Sequence, residues 1–207
     1  SINSNDLEDL LTVYSSDGFE GRQTGTKGDR TAANFLRDFY ISNKIGPALN
    51  TIDYFQPYQL NLPGKMYTFN YSFPSTLRGY DRYAQGDNFV DTQNVASIIK
   101  GEIYPESYLI ITGHLDHVGI NGDEDNGSGT VSILEIAQAF QEAVEDGVRP
   151  KRSVVFLHVS GEEEGLLGSE YYVNNSLYPL ENTFATLNLD MIGRTDPNRG
   201  YEDEEYF

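Results

Sequence analysis

The sequence contains no cysteine. Disulfide bonds and thiolate metal sites are therefore excluded, and any metal site must be built from histidine, aspartate and glutamate. Long apolar runs are also missing: no stretch reaches the roughly 18 apolar residues that a membrane-spanning helix requires, and the N-terminal residues lack the charged-then-apolar pattern of a secretory leader. The sequence thus predicts no membrane span, and the lack of cysteine is compatible with an exported protein.

Basic residues are scarce. Lysine and arginine total 14 against 32 aspartate and glutamate residues, so the formal net charge is −18. Nucleic-acid binding relies on a basic surface that neutralises phosphates, and this composition argues against such a partner. Negative charge of this size favours solubility, and part of it is also suited to bound cations. Composition alone leaves both interpretations open.

The 207 residues are enough to bury a substantial core, and we expect a single domain over residues 1–207. Near-continuous apolar runs predict buried strands at residues 107–114, 151–163 and 183–193. Apolar side chains at three- and four-residue spacing, ending at Gly147, predict a helix over residues 128–147. Further helices are predicted after Asn5 and over residues 29–43, and short strands and loops over about residues 51–93, with residues 65–73 as an example.

This alternation of strands and helices predicts an α/β fold. We expect a three-layer α/β/α sandwich, in which helices cover both faces of a mixed, mostly parallel central sheet. In such sheets, ligands bind at the carboxyl ends of the strands. That rule identifies the part of the sequence in which to search for chemistry.

Potential metal ligands follow each predicted buried strand. His114 and Asp116 lie two residues apart at the first strand end, so their side chains share one side of an extended backbone. Asp116 could accept the second N–H of a metal-binding His114, although a buried histidine paired with a neighbouring carboxylate is a common structural feature as well. Asp125 lies in the loop before the next helix, where the ordinary alternative is an acidic loop ending in a cap at Asn126 or Ser128.

Three consecutive glutamates follow the second strand. Acidic residues are common at a helix N-terminus, where they complement the helix dipole. However, Glu162 and Glu163 can also diverge, so that one carboxylate binds a metal and the other accepts a proton from a bound water molecule. Asp190 adds an oxygen ligand from the third strand, whereas Glu164 fits the helix-start interpretation.

Two further histidines have weaker signals. His158 lies inside the predicted second strand, where we expect a packing role or support of a metal ligand. His117 could contact substrate, although a surface histidine is the simpler interpretation.

The segments "GHLD", "DNGSG", "SGEEEGLLGS" and "NLDMIGR" occur in this order, and together they resemble the co-catalytic two-zinc aminopeptidase family. This family includes bacterial leucyl-type aminopeptidases and is related to glutamate carboxypeptidases and glutaminyl cyclases. The segment "SDGFEGRQTGTKGDRTAANF" also looks like the lead-in of its bacterial members. The resemblance implies that Asp125 bridges two zinc ions, that His114 and Asp190 bind one of them and that Glu163 binds the other. It also implies that Glu162 is the general base.

By the same resemblance, Asp116 orients His114, and the activity is hydrolysis of N-terminal peptide bonds in peptide substrates. A further histidine, downstream of the Asp190 strand, would complete the site on the ion that Glu163 binds, yet no histidine follows His158. We therefore expect a chain that lacks the family's C-terminal part, and a secreted or periplasmic protein. A carboxypeptidase, a glutaminyl cyclase and a noncatalytic domain with an incomplete metal site are the alternatives.

Overall fold

The computed structural model describes residues 2–61 and 89–194, so the strands predicted at residues 65–73 lie outside the described residues. Within these ranges the α-helices are α1 Ser4–Tyr14, α2 Lys27–Ser42, α3 Gly129–Glu145 and α4 Leu167–Asn174. The strands are β1 Gly46–Pro47, β2 Phe55–Asn61, β3 Phe89–Ile99, β4 Tyr104–His114, β5 Arg152–Val159 and β6 Thr183–Asn188. Short 3-10 segments lie at Asp17–Arg22 and Leu180–Asn182.

One mixed sheet joins the described strands in the order β1-β3-β5-β4-β6, with β2 also paired to β3. Strand β4 runs parallel to β5 and β6. Strand β3 runs antiparallel to β1, β2 and β5. The predicted α/β class is confirmed, and the antiparallel pairings of the described sheet all involve β3.

Alternate residues of β5 enter opposite layers of the structure, as the strand geometry requires. Phe156 packs in a core with side chains of α1, α2 and α3. Val155 and Leu157 pack on the other face, against Tyr172 of α4. Burial on both faces explains why this strand is a continuous apolar run. Helices thus cover both faces of the sheet, in agreement with the predicted three-layer arrangement.

Local signals set the helix ends. Thr26 Oγ1 accepts a hydrogen bond of 3.4 Å from the Asp29 backbone N–H and caps the start of α2. The chain leaves α3 through Gly147, whose φ of 87° lies in the left-handed region that glycine adopts without strain. No helix among the described residues is long and apolar enough to cross a membrane.

The parallel strands β4, β5 and β6 end at one edge of the sheet. His114 pairs in register with Val159, and Thr112 pairs with Asn188. The residues that follow these strands therefore meet at that edge, which is the position that α/β sheets use for ligands.

Candidate metal centre

One group of potential ligands converges on the imidazole of His114. This residue is the last one of β4 and is 2% exposed. Its Nε2 lies 3.1 Å from Asp125 Oδ1 and 3.6 Å from Asp190 Oδ1. Two ligand atoms bound to a tetrahedral zinc ion at about 2.0–2.2 Å are separated by roughly 3.3–3.6 Å. Both separations are close to this range, and the three ligand atoms lie within 4.8 Å of one another, so the three side chains are near enough to share a single ion.

A second group forms beside the first one. Glu163, Asp125 and His117 each offer a ligand atom, and these atoms lie within 4.8 Å of one another. His117 Nδ1 is 3.4 Å from Glu163 Oε1. Asp125 belongs to both groups, which is the position of a bridging ligand. The sequence favours a surface position for His117, but its side chain is only 17% exposed and it lies in this group.

Glu162 borders the first group without joining it. Its Oε2 is 4.0 Å from His114 Nε2, and its side chain is 28% exposed. The turn that carries it is closed by hydrogen bonds of 2.8 and 2.9 Å from the backbone N–H groups of Gly165 and Leu166 to the Glu162 carbonyl. Glu162 lies beside His114, whereas Glu163 lies beside His117, so the two adjacent carboxylates have different neighbours in the site.

Asp116 contacts His114 and also holds the glutamate turn. His114 Nδ1 lies 3.0 Å from the Asp116 carbonyl oxygen and 3.6 Å from the carboxylate. An N–H at Nδ1 that donates to this carbonyl leaves Nε2 free for a metal. The carboxylate accepts a hydrogen bond of 2.8 Å from Thr24 Oγ1, and longer ones of 3.3 and 3.4 Å from the backbone N–H groups of Glu162 and Glu163. Asp116 therefore connects the ends of β4 and β5.

The buried Arg22 holds the loop that follows β4. This side chain is 0% exposed. Its guanidinium donates to the carbonyls of Asn121 at 2.6 Å, Gly122 at 2.7 Å, Tyr14 at 3.0 Å and Leu115 at 3.1 Å. The sequence identifies Arg22 only as part of the lead-in segment, because nothing in its local pattern shows that three of its four partners lie about a hundred residues away.

Asn126 joins the Asp125 loop to the segment that carries Asp190. Its Oδ1 accepts a hydrogen bond of 3.0 Å from the Gly129 backbone N–H at the start of α3, so Asn126 rather than Ser128 caps this helix. Its Nδ2 donates to the Leu189 carbonyl at 2.8 Å. One buried amide thus fixes the position of two predicted metal ligands.

His158 lies apart from the metal centre and is 0% exposed. Its Nε2 is 2.7 Å from the Tyr40 hydroxyl. Burial lowers its pKa to about 3, so the ring is neutral at ordinary pH. The packing role predicted for His158 agrees with this environment.

The electrostatics of the site favour a cation. Burial opposes protonation of His114, but hydrogen bonding and attraction to Asp116, with further attraction to Glu162 and Asp190, raise its pKa to about 9. Burial raises the pKa of Glu162, and repulsion from Asp116, Glu163 and Asp190 adds to this shift although His114 opposes it. The carboxylates repel one another, and a proton on His114 or Glu162 reduces this repulsion. Nitrogen and oxygen donors at this spacing fit divalent zinc.

Glu164 does not lie in a helix start as predicted from the sequence. The side chain is partly buried, and burial raises the pKa of its carboxyl group, with repulsion from Asp116 as the next cause. The helix α4 begins only at Leu167, so Glu164 lies in the turn before it and not in its first turn.

Curated relatives match about half of the chain. The chain is 45% identical over 103 residues to leupeptin-inactivating enzyme 1 of Streptomyces exfoliatus, a match that covers 47% of this chain and 22% of that protein. It is 33% identical over 109 residues to a probable glutamate carboxypeptidase, VP8, of Zea mays, covering 52% of this chain and 15% of that protein. The match thus spans less than a quarter of either relative.

The fold is shared with solved peptidase structures. The aminopeptidase from Aneurinibacillus sp. strain AM-1 superposes with a TM-score of 0.68 and 14% sequence identity, over 94% of this chain and 71% of that chain. At this identity the likeness shows a common fold. Residues 94–206, which are more than half of the chain, match the model of peptidase family M28. The chain belongs to peptidase family M28.

Proposed function

We propose that the protein is a zinc-dependent exopeptidase that hydrolyses the N-terminal peptide bond of its substrates. One observation carries the proposal: His114, Asp125, Glu163 and Asp190 converge at the strand ends with the spacing of metal ligands, and Glu162 lies beside them. Membership of a peptidase family and the fold of an aminopeptidase support it.

The proposed roles follow from position. His114 and Asp190 would hold one zinc ion and Glu163 a second, and Asp125, whose ligand atom belongs to both groups, would contribute to each. When bound, the pair of ions lowers the pKa of a water molecule and polarises the scissile carbonyl. Glu162, beside His114, would accept a proton from the attacking water and deliver it to the departing amine.

The environment of Glu162 suits proton transfer. Burial and the neighbouring carboxylates raise its pKa above that of an ordinary glutamate. A general base works best when its pKa approaches the working pH, so this direction of shift favours the assigned role. The Glu162 carboxylate also remains 28% exposed, which leaves a side open to a substrate.

The test replaces the base while keeping the ligands. Glu162→Gln should retain zinc at the wild-type level and lose turnover of an aminoacyl chromogenic substrate by about 10²- to 10⁴-fold, the usual contribution of general acid–base catalysis. Glu170→Gln makes the same chemical change at an exposed position in α4 and is the matched control. Wild-type turnover in zinc-loaded Glu162→Gln would remove Glu162 from this role.

The direction of cleavage is tested with the substrate. Peptides with a free N-terminus should be hydrolysed, and the same peptides with an acetylated N-terminus should not. The alternative is a carboxypeptidase, which the match to the Zea mays protein favours. Such an enzyme would cleave the acetylated peptides and reject those with an amidated C-terminus.

A further inference from the structure

We propose that Asp29 is a positioning residue, which fixes the turn that carries Glu162 and Glu163. This inference rests on the proposed metal-dependent function and adds a residue that supports it from a distance. Asp29 lies in the first turn of α2 and is 0% exposed. An aspartate is almost never fully buried unless its carboxyl group is paired or hydrogen-bonded, so the partners of Asp29 show what this group does.

The Asp29 carboxyl group joins three separate parts of the chain. One oxygen, Oδ2, accepts hydrogen bonds of 2.8 Å from the Gly25 backbone N–H and 2.7 Å from Thr92 Oγ1 of β3. The other oxygen, Oδ1, accepts one of 3.0 Å from Ser160 Oγ. Ser160 directly follows β5 and precedes Glu162 by two residues. Asp29 therefore holds the point at which the chain leaves β5 and enters the Glu162–Glu163 turn.

Ser160 is fixed by its other polar groups as well. The residue is 0% exposed. Its backbone N–H donates to Asn94 Oδ1 at 3.2 Å, and its carbonyl accepts a hydrogen bond of 2.7 Å from the Tyr58 hydroxyl. Each polar atom of Ser160 therefore has a partner, and buried networks in which every member is satisfied are rigid. The backbone thus enters the turn from a fixed point.

A second route leads from Asp29 to the same turn. Gly25, which Asp29 binds, follows Thr24, and Thr24 Oγ1 donates to the Asp116 carboxylate at 2.8 Å. The Asp116 carboxylate also accepts both backbone N–H groups of the Glu162–Glu163 turn. The route along β5 and the route through this loop therefore form a closed ring that starts at Asp29 and ends at the turn. Loss of the Asp29 carboxyl group would release both routes.

A positioning role and a purely stabilising role predict different results. A residue that only stabilises the fold changes the fraction of molecules that are folded, and it leaves the metal site of the folded molecules unchanged. A positioning residue changes the site within the folded molecules. A displacement of about 1 Å that arises far from the reacting atoms can lower turnover by about 10²-fold.

The experiment measures metal binding by folded Asp29 variants. The metal-free protein is titrated with Co²⁺, the visible absorption of bound Co²⁺ reports the ligand geometry, and circular dichroism measures the folded fraction. Folded Asp29→Ala should bind Co²⁺ about 10-fold more weakly than wild type, with an altered visible spectrum. Loaded with zinc, it should lower kcat for an aminoacyl chromogenic substrate by about 10- to 100-fold, with KM little changed.

Two further variants serve as controls. Asp29→Asn should restore the affinity and the spectrum, because its amide keeps the hydrogen-bonding capacity of the site. The amide oxygen can accept from Gly25 and Thr92, and the amide nitrogen can donate to Ser160 Oγ. Glu135→Ala removes a buried acid of α3 that lies outside the ring and should bind Co²⁺ as wild type does.

The outcomes separate this inference from the proposed function. Wild-type Co²⁺ affinity and spectrum in folded Asp29→Ala would overturn the positioning role and leave the proposed function intact. Wild type that binds metal but has no turnover would overturn the proposed function, and the Co²⁺ spectra would still decide the role of Asp29. If Asp29→Ala does not fold, Ser160→Ala replaces it, since it removes only one hydroxyl of the ring. It should weaken Co²⁺ binding and alter the spectrum, and an unchanged titration would refute the inference.

Discussion

Removing the Arg22 guanidinium tests whether this side chain supports the metal-binding loop. In Arg22→Met the carbonyls of Tyr14, Leu115, Asn121 and Gly122 lose their donor. A hydrogen bond from a charged group is worth about 1.5–3 kcal/mol, so four of them give an upper limit of roughly 6–12 kcal/mol. Arg22→Met no longer buries a positive charge, and rearrangement of the neighbouring groups recovers part of the stability lost with the hydrogen bonds. We expect the free energy of unfolding to fall by about 3–5 kcal/mol, a large fraction of the usual 5–15 kcal/mol.

Urea denaturation of the metal-free protein, followed by circular dichroism, measures this change. Arg22→Lys keeps the charge but has three donors in place of five, so it should lose less, about 1–3 kcal/mol. Arg149→Met removes an exposed guanidinium and should stay within about 0.5 kcal/mol of wild type. Arg22→Met within about 1 kcal/mol of wild type, at an unchanged denaturant slope, would refute the reasoning.

Three further predictions concern buried polar groups. Asn126→Ala removes the partner of the Gly129 N–H and the Leu189 carbonyl and should cost about 2–4 kcal/mol in urea denaturation; an unchanged midpoint contradicts it. Burial lowers the pKa of His158 to about 3, so its NMR ring signals should not titrate between pH 8 and 5. The contribution of His158 to stability should fall as pH drops from 6.5, because only the unfolded state gains the proton there. Burial raises the pKa of Asp29 to about 7, so the folded state keeps a proton that the unfolded state loses above about pH 4. Wild type should therefore lose stability between pH 4 and 7, and the free energy of unfolding of Asp29→Asn, measured by urea denaturation, should rise relative to that of wild type. A difference between the two proteins that stays constant over this pH range contradicts this.

The elements of the fold were largely predictable because their signals are local. Apolar runs marked the central strands, and the helix predicted over residues 29–43 occurs at Lys27–Ser42. The order of the strands was not predictable in the same way. Strand β3 precedes β4 in sequence but lies beside β5, and it runs opposite to β5. Such pairings depend on contacts between distant residues, which no short sequence pattern records.

The candidate site likewise contains residues that local sequence signals predict and residues that they do not. The strand-end rule led to His114 and Asp190, which the structure brings to within 3.6 Å of each other. It did not lead to His117, because the position of that ring depends on the path of a loop. The loop path is set by Arg22, whose partners are distant in sequence, and by the close approach of Gly122. The double role of Asn126 was equally hidden: a cap is a local signal, but its bond to Leu189 is not.

Charge balance connects the composition to the site. Five carboxylates and one guanidinium gather near the strand ends, from Asp116, Asp125, Glu162, Glu163, Asp190 and Arg22. Like charges about 4 Å apart repel by roughly 4 kcal/mol per pair at an effective dielectric constant of 20, so the metal-free site lowers this cost by holding protons, as the raised pKa of Glu162 shows. In the proposed metal-dependent function, protons and metal ions would compete for the same place, and part of the acidic excess of this sequence would serve bound cations as well as solubility.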